Sequence, residues 1–292
     1  MKVFQISMSL LFISLFADAQ QYLTFPIHGD DFRFNWKAVE KNLPRSDIDR
    51  FIHDRPRDFY AYRQKDNCCG VSFDSLYNDL HFLDLNGDGK NDVVFDGQTA
   101  GEPREIEIFI NSGNHYKKAF SVIQGIVKMD WEGDQLSRIY IRDWGCCDAD
   151  LEVQKIYDVH YDKTNYPIFA QIYQSVVIYH APMPDSMLET PIQFEVLNQA
   201  YNIRSAPQKD DTSYQHWNND GGSRIYNGNV IGKIVKGTTG MALAKTVDNS
   251  GREWLYVEID KEGLLANDII YAENKFPTKL KGWISGRFVK LL

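Results

Sequence analysis

Residues 82–95 read FLDLNGDGKNDVVF, and within them Asp84, Asn86, Asp88 and Asp92 alternate with other residues before an apolar run. Counted from Asp84, these side chains fall at positions 1, 3, 5 and 9, with Gly89 at position 6 and Lys90 at position 7. Hard cations such as calcium take about six to eight oxygens from a tightly curled loop. Here four side chains and the Lys90 carbonyl supply them, and Gly89 permits the sharp turn. The expected cofactor is a structural calcium ion held by Asp84, Asn86, Asp88, Lys90 and Asp92. An Asp/Asn/Gly turn without metal is the alternative. A catalytic role is not expected, because catalytic metals keep an open position and a positioned base.

Position 12 of an EF-hand needs Glu, and here it is Phe95, followed and preceded by strand-like rather than helical sequence. The run instead resembles one repeat of the FG-GAP or VCBS type, a strand leading into a DxNxDGxxD loop and then an apolar strand. The continuation IEIFINSGNHY, residues 106–116, is similar to the strand and Asn-x-Gly turn that close such a repeat. Members of that family build propellers from many copies, and the pattern occurs once here. The resemblance therefore implies a single blade-like unit embedded in a β-domain.

From residue 201 the chain reads YNIRSAP, then after an insert NVIGKIVKGT, REWLYVEI and KGWISGRFVKLL. Ile203, Ile231, Ile234, Val235, Leu255, Val257, Ile284 and Val289 alternate along these blocks as the filling of a small barrel would. Gly232, Gly237, Gly282 and Gly286 mark turns or close backbone approaches. The four blocks, in this order, resemble the bacterial SH3 (SH3b) family, which implies a β-barrel that binds rather than catalyses. Trp254 and Trp283 read as core caps or as the lining of an aromatic groove. The insert from Gln208 to Asn229 is long for its place, and it carries Tyr214, His216, Trp217 and Tyr226 among polar residues. These four are the expected ligand-binding residues, since stacking rings beside amides suit a peptide or sugar. A second insert, Lys261 to Lys279, reads as decoration of a hairpin.

Other chemistry is sparse. The four cysteines form two adjacent pairs, Cys68-Cys69 and Cys146-Cys147. In an exported chain disulfides are expected, with three pairings possible; a four-thiolate metal site is disfavoured because zinc ligands are usually spaced further apart. Asp143, Asp148, Asp150 and Glu152 flank the second pair and read as a solvated turn. The seven histidines, His28, His53, His81, His115, His160, His180 and His216, are scattered. No HExxH and no GxSxG occurs, so no enzyme is expected; a cell-wall hydrolase, or its regulatory or inhibitory partner, is the alternative.

The elements that must position these residues are mostly strands. Hydrophobic residues make up 43% of the 292, enough for a packed core, and the 13% aromatic content suits β-structure. A net charge of −8 argues against nucleic acid. Lys2, the apolar run Val3–Phe16 and Ala17-Asp18-Ala19 read as a signal peptide cut before Gln20. No Cys follows for a lipid anchor, and no second apolar run approaches a membrane span. Phe32–His53 is the helical stretch, broken at Pro44, with Ser46 as the expected cap of its second part. Beyond Phe59 alternation dominates, at 106–110, 123–129, 139–141, 153–161 and 168–179, with turns at 111–114, 131–134 and 162–165.

The fold class is mainly β: a signal peptide (1–19), an antiparallel β-domain with a helical cap and the calcium-type loop (20–181), a Pro-rich linker (182–191) and an SH3-like barrel (192–292). The function expected is that of a periplasmic or secreted binding protein. Its partner is cell-wall peptide or glycan, or an envelope protein.

Overall fold

The computed structural model describes residues 22–29, 32–40, 45–54, 59, 77–98, 104–143, 150–219, 222–267 and 276–292. The expected signal peptide at 1–19 and all four cysteines, with their expected disulfides, lie outside them. The architecture is mainly β with antiparallel sheets. Among the described residues, helix comprises α1 (Arg45–Asp54), a helical pair at Tyr77 and Asn78, and three single 3-10 turns, at Trp36–Ala38, Lys261–Gly263 and Gly286–Phe288. The helical stretch expected from Phe32 is thus one turn before α1. Ser46 lies inside α1 rather than capping it.

Four strands form a first antiparallel sheet in sequence order: β1 (Leu80–Leu83), β2 (Asp92–Gln98), β3 (Arg104–Asn111) and β4 (Tyr116–Ile123). The acidic loop is the connection from β1 to β2. Phe51 of α1 and Phe59 pack on one face of this sheet with Phe82, Phe95, Phe109 and Tyr116. The opposite face, with Val94, Ile106 and Ile108, packs on Leu136, Ile139 and Ile141 of the next sheet. The alternation within β2 and β3 therefore fills two cores at once.

The expected strand at 123–129 is divided. Gln124 takes φ 108°, a left-handed value unusual for a residue with a side chain, and β5 begins only at Gly125. The break lets the chain leave the first sheet for the second. There β5 (Gly125–Glu132), β6 (Gln135–Asp143), β7 (Leu151–Tyr161) and β8 (Pro167–Ile178) run as an antiparallel meander.

The remaining strands are β9 (Ile192–Val196), β10 (Ala200–Arg204), β11 (Tyr214–Asn219), β12 (Gly222–Asn227), β13 (Val230–Val235), β14 (Thr239–Val247), β15 (Glu253–Asp260), β16 (Leu264–Asn267), β17 (Lys279–Ser285) and β18 (Val289–Leu291). β11 and β12 pair only with each other; the rest pair in the path β18-β9-β14-β15-β17-β10-β13-β16, and no pairing among the described residues joins its two ends. The ladder wraps around Ile203, Ile231, Ile234, Leu255, Val257 and Ile284 without closing a ring. The insert at 261–279 does more than decorate, because it supplies β16 against β13.

The sheet is continuous across the Pro-rich segment. β8 pairs in parallel with β17, Lys279 opposite Ser175 and Leu280 opposite Val176. Residues 182–191 are held against the later strands. Trp283 donates from Nε1 to the Pro182 carbonyl at 2.8 Å, Leu188 N donates to the Leu243 carbonyl at 2.7 Å, and Met183 and Met187 pack beside Trp254 and Trp283.

Candidate functional site

The 84–92 loop curls around its own side chains. Asp84 accepts the N–H groups of Asp88 (3.1 Å) and Gly89 (2.7 Å), and Asn86 Oδ1 accepts the Asp88 N–H at 3.2 Å. Asp88 accepts the Lys90 N–H at 2.9 Å and pairs with the Lys90 ammonium at 3.0 Å. Gly87 and Gly89 take φ 71° and 81°, values that side chains disfavour, and this lets the turn tighten.

Asp92 is fully buried, and its two oxygens accept the N–H groups of Leu85 (2.9 Å) and Asn111 (2.8 Å). It thus ties the start of the loop to the end of β3. Burial pushes its carboxyl up, the nearby charges of Asp88 and Asp84 add to this, and the two N–H groups oppose it; the result is about 7. Asp88 goes the other way. Burial raises it, but hydrogen bonds and charge from Lys90 outweigh that and hold it below the usual value.

Side chains from the second sheet anchor the loop from below, and the sequence did not single them out. Gln135 and Asn165 both donate to the Asn86 carbonyl, at 2.9 and 2.8 Å, and Asn86 donates to the Asn165 carbonyl at 3.1 Å. The Tyr161 hydroxyl lies 2.8 Å from the Leu85 carbonyl. Asn165 is detectable only as a turn residue; its φ of 61° is one asparagine tolerates.

The donor chemistry fits a hard cation. Oxygen donors from Asp84, Asn86 and Asp88 are gathered on one turn, and the charges of Asp88 and Asp84 act against ionisation of Asp92. Among the described residues no group of three or more His, Cys, Asp or Glu side chains is disposed to hold a metal. Asp84, Asn86, Asp88 and the Lys90 carbonyl are the groups that would face a cation here; both Asp92 oxygens are taken by the backbone N–H groups of Leu85 and Asn111.

The insert at 208–229 forms the β11–β12 hairpin. It pairs Tyr214 with Asn227, Gln215 with Tyr226, His216 with Ile225 and Trp217 with Arg224. The four expected ligand-binding residues all lie on the two strands of this hairpin.

Glu152 departs from the expected solvated turn. It is 3% exposed, and it pairs with His28 Nε2 at 2.9 Å. Gln154 Nε2 donates to it at 2.9 Å, and Gln154 Oε1 accepts from Lys281 Nζ at 3.0 Å. Lys281 leads on to Glu258, which accepts hydrogen bonds from Tyr22, Thr24, Tyr173 and Lys279. This cluster joins the N-terminal segment to β7, β8, β15 and β17. Its carboxylates and Lys281 are buried, and Tyr22, Thr24 and Lys279 close it at the partly exposed rim, so it ties these elements together. No family model, curated protein or solved structure matches the chain, and the two resemblances rest on the residues quoted above.

Proposed function

We propose that the chain is an exported, non-enzymatic binding protein of the periplasm or the cell exterior. Its C-terminal part acts as a bacterial SH3-like module that recognises cell-wall peptide or glycan, and its 84–92 loop takes a structural calcium ion. The observation that carries the reading is the placement of the four C-terminal blocks. YNIRSAP, NVIGKIV, REWLYVEI and KGWIS fall on β10, β13, β15 and β17, which are neighbours in the order β13-β10-β17-β15 around one apolar core. The four-stranded β1–β4 meander with the acidic loop at its first turn supports the single blade-like unit.

Retention of the purified protein on isolated cell-wall sacculi tests this. Retention that falls in Trp217→Ala supports wall recognition through the hairpin. Failure to bind sacculi, with capture of one envelope protein instead, would replace the wall by a protein partner. Release of soluble wall fragments in the presence of chelator and thiol blocker would overturn the non-enzymatic reading.

A further inference from the structure

A cavity of about 300 Å³ opens where the start of β10, the start of β15 and the turn at Gly286–Phe288 meet. Four lining side chains are cationic, Arg204, Lys209, Arg252 and Arg287, and none is acidic. In a chain of net charge −8 this is a local reversal of sign, and such a cleft concentrates anions.

Two of the cations are already answered. Asp211, just outside the lining, pairs with Arg204 at 2.7 Å and with Lys209 at 3.2 Å. Arg252 and Arg287 pair with no carboxylate among the described residues. Arg252 Nε is one of two buried side-chain polar atoms without a hydrogen-bond partner among those residues. A buried donor left unpaired is costly, which marks Arg252 as incompletely satisfied by the fold itself. Arg204, Arg252 and Arg287 all line this one cavity, with Tyr201 between them in its wall.

The other half of the wall is aromatic. Phe288 is 46% exposed and meets Tyr201 edge to face at 5.9 Å, and the Arg252 guanidinium lies 5.8 Å from the Trp254 ring. An exposed phenylalanine beside unanswered guanidinium groups calls for a ligand that is anionic at one end and apolar next to it. A bare phosphate uses only the cationic half.

We propose that this groove holds the free C-terminal carboxylate of a peptide, with Arg252 and Arg287 on the carboxylate and Phe288 and Tyr201 against the last side chain. The assignment rests on the reading of the C-terminal part as a binding module, and it names a site apart from the aromatic hairpin.

The test titrates the full secreted chain with a panel of dipeptides and tripeptides, each as the free acid and as the C-terminal amide, with inorganic phosphate as a third arm. At least one free acid is expected to bind and its amide to bind about tenfold more weakly, since charge-assisted hydrogen bonds are the stronger ones. Arg287→Ala, at an exposed position, is expected to reproduce that loss at unchanged melting temperature, and Arg252→Gln to do the same. Equal binding of acids and amides, or no binding by any free acid at millimolar concentration, would overturn the proposal. So would phosphate binding as tightly as the best peptide. Sacculus retention measured in parallel separates the two readings. Peptide binding without retention removes the wall and keeps the groove; retention without peptide binding does the reverse.

Discussion

Glu258 on β15 and Lys281 on β17 are direct cross-strand partners, and both are enclosed: none of the Glu258 side chain is exposed and 2% of Lys281 is, with 3.7 Å between carboxylate and ammonium. Burial pushes the Lys281 ammonium down to about 8, while Lys281 and Lys279 hold the Glu258 carboxyl below its ordinary value against the opposing effect of burial. Tyr22 and Tyr173 complete the shell of the carboxylate. Here the N-terminal segment, β8 and the last strands are fastened to one another.

Removing one charge should expose the cost of burying the other. Glu258→Gln is expected to destabilise the chain by about 3–5 kcal/mol, because a buried ammonium without its carboxylate is strongly unfavourable. Replacing both partners with apolar residues, Glu258→Leu with Lys281→Met, is expected to recover only part of that loss, because Tyr173 and Tyr22 lose their acceptor. Urea unfolding at constant slope measures both. A loss under about 1 kcal/mol for the single variant would mean that the pair is effectively solvated.

Asp92 makes stability depend on pH in an unusual direction. Its folded value, about 7, lies above the reference value of 3.8, so the folded chain holds the proton more tightly. The resulting contribution is full below about 4 and is lost as pH rises through 7, by up to about 4 kcal/mol without metal. His81 titrates in the opposite sense, since burial lowers it, so the comparison that isolates Asp92 is the difference from Asp92→Asn. That variant is expected to flatten the profile between pH 4 and 7. Millimolar calcium is expected to raise the melting temperature of the parent near pH 7, and to do so far less in Asp88→Ala. Identical melting with calcium and with chelator would remove the metal and leave Asp92 as a neutral tie between Leu85 and Asn111.

Gly282 sits where β17 crosses β10, and a methyl group there would lie 2.8 Å from the Arg204 carbonyl and 2.8 Å from Ile231 Cδ1. Backbone cannot yield as a flexible side chain can. Gly282→Ala is therefore expected to cost about 1–3 kcal/mol through overpacking, read as a lower melting temperature. Ala at Gly89, which meets nothing within 4 Å but has φ 81°, is expected to destabilise through backbone strain alone. Equal stability of Gly282→Ala and the parent would show that the crossing has slack.

Local patterns were the legible part of this fold. The Asp84–Asp92 loop is written in adjacent residues whose spacing sets the turn, and the strands around Ile106, Val153 and Ile203 declare themselves by alternation. What depended on distant partners was not legible. Glu152 looked like part of a solvated acidic turn because His28, its ion-pair partner, lies far away in the sequence. The strand at 123–129 looked continuous because its apolar pattern hides the left-handed Gln124. Leu264–Asn267 looked ornamental because the edge it pairs with, β13, is set by tertiary packing.

The segment at 182–191 carries the same lesson into a measurement. Its prolines read as a spacer, yet Trp283, 1% exposed, spends its only side-chain donor on the Pro182 carbonyl, and Met183 and Met187 fill the space beside it. Trp283→Phe keeps most of the ring area and removes the donor, so it isolates that one hydrogen bond. The expected loss is about 1–2 kcal/mol, the cost of a carbonyl left without its partner. The strap should also open locally more often than the whole chain unfolds, because its other ties are few. Limited proteolysis should then cut Trp283→Phe between 182 and 191 well before the parent. A parent chain cut there as fast as the variant would mean that the segment is the loose spacer its prolines imply.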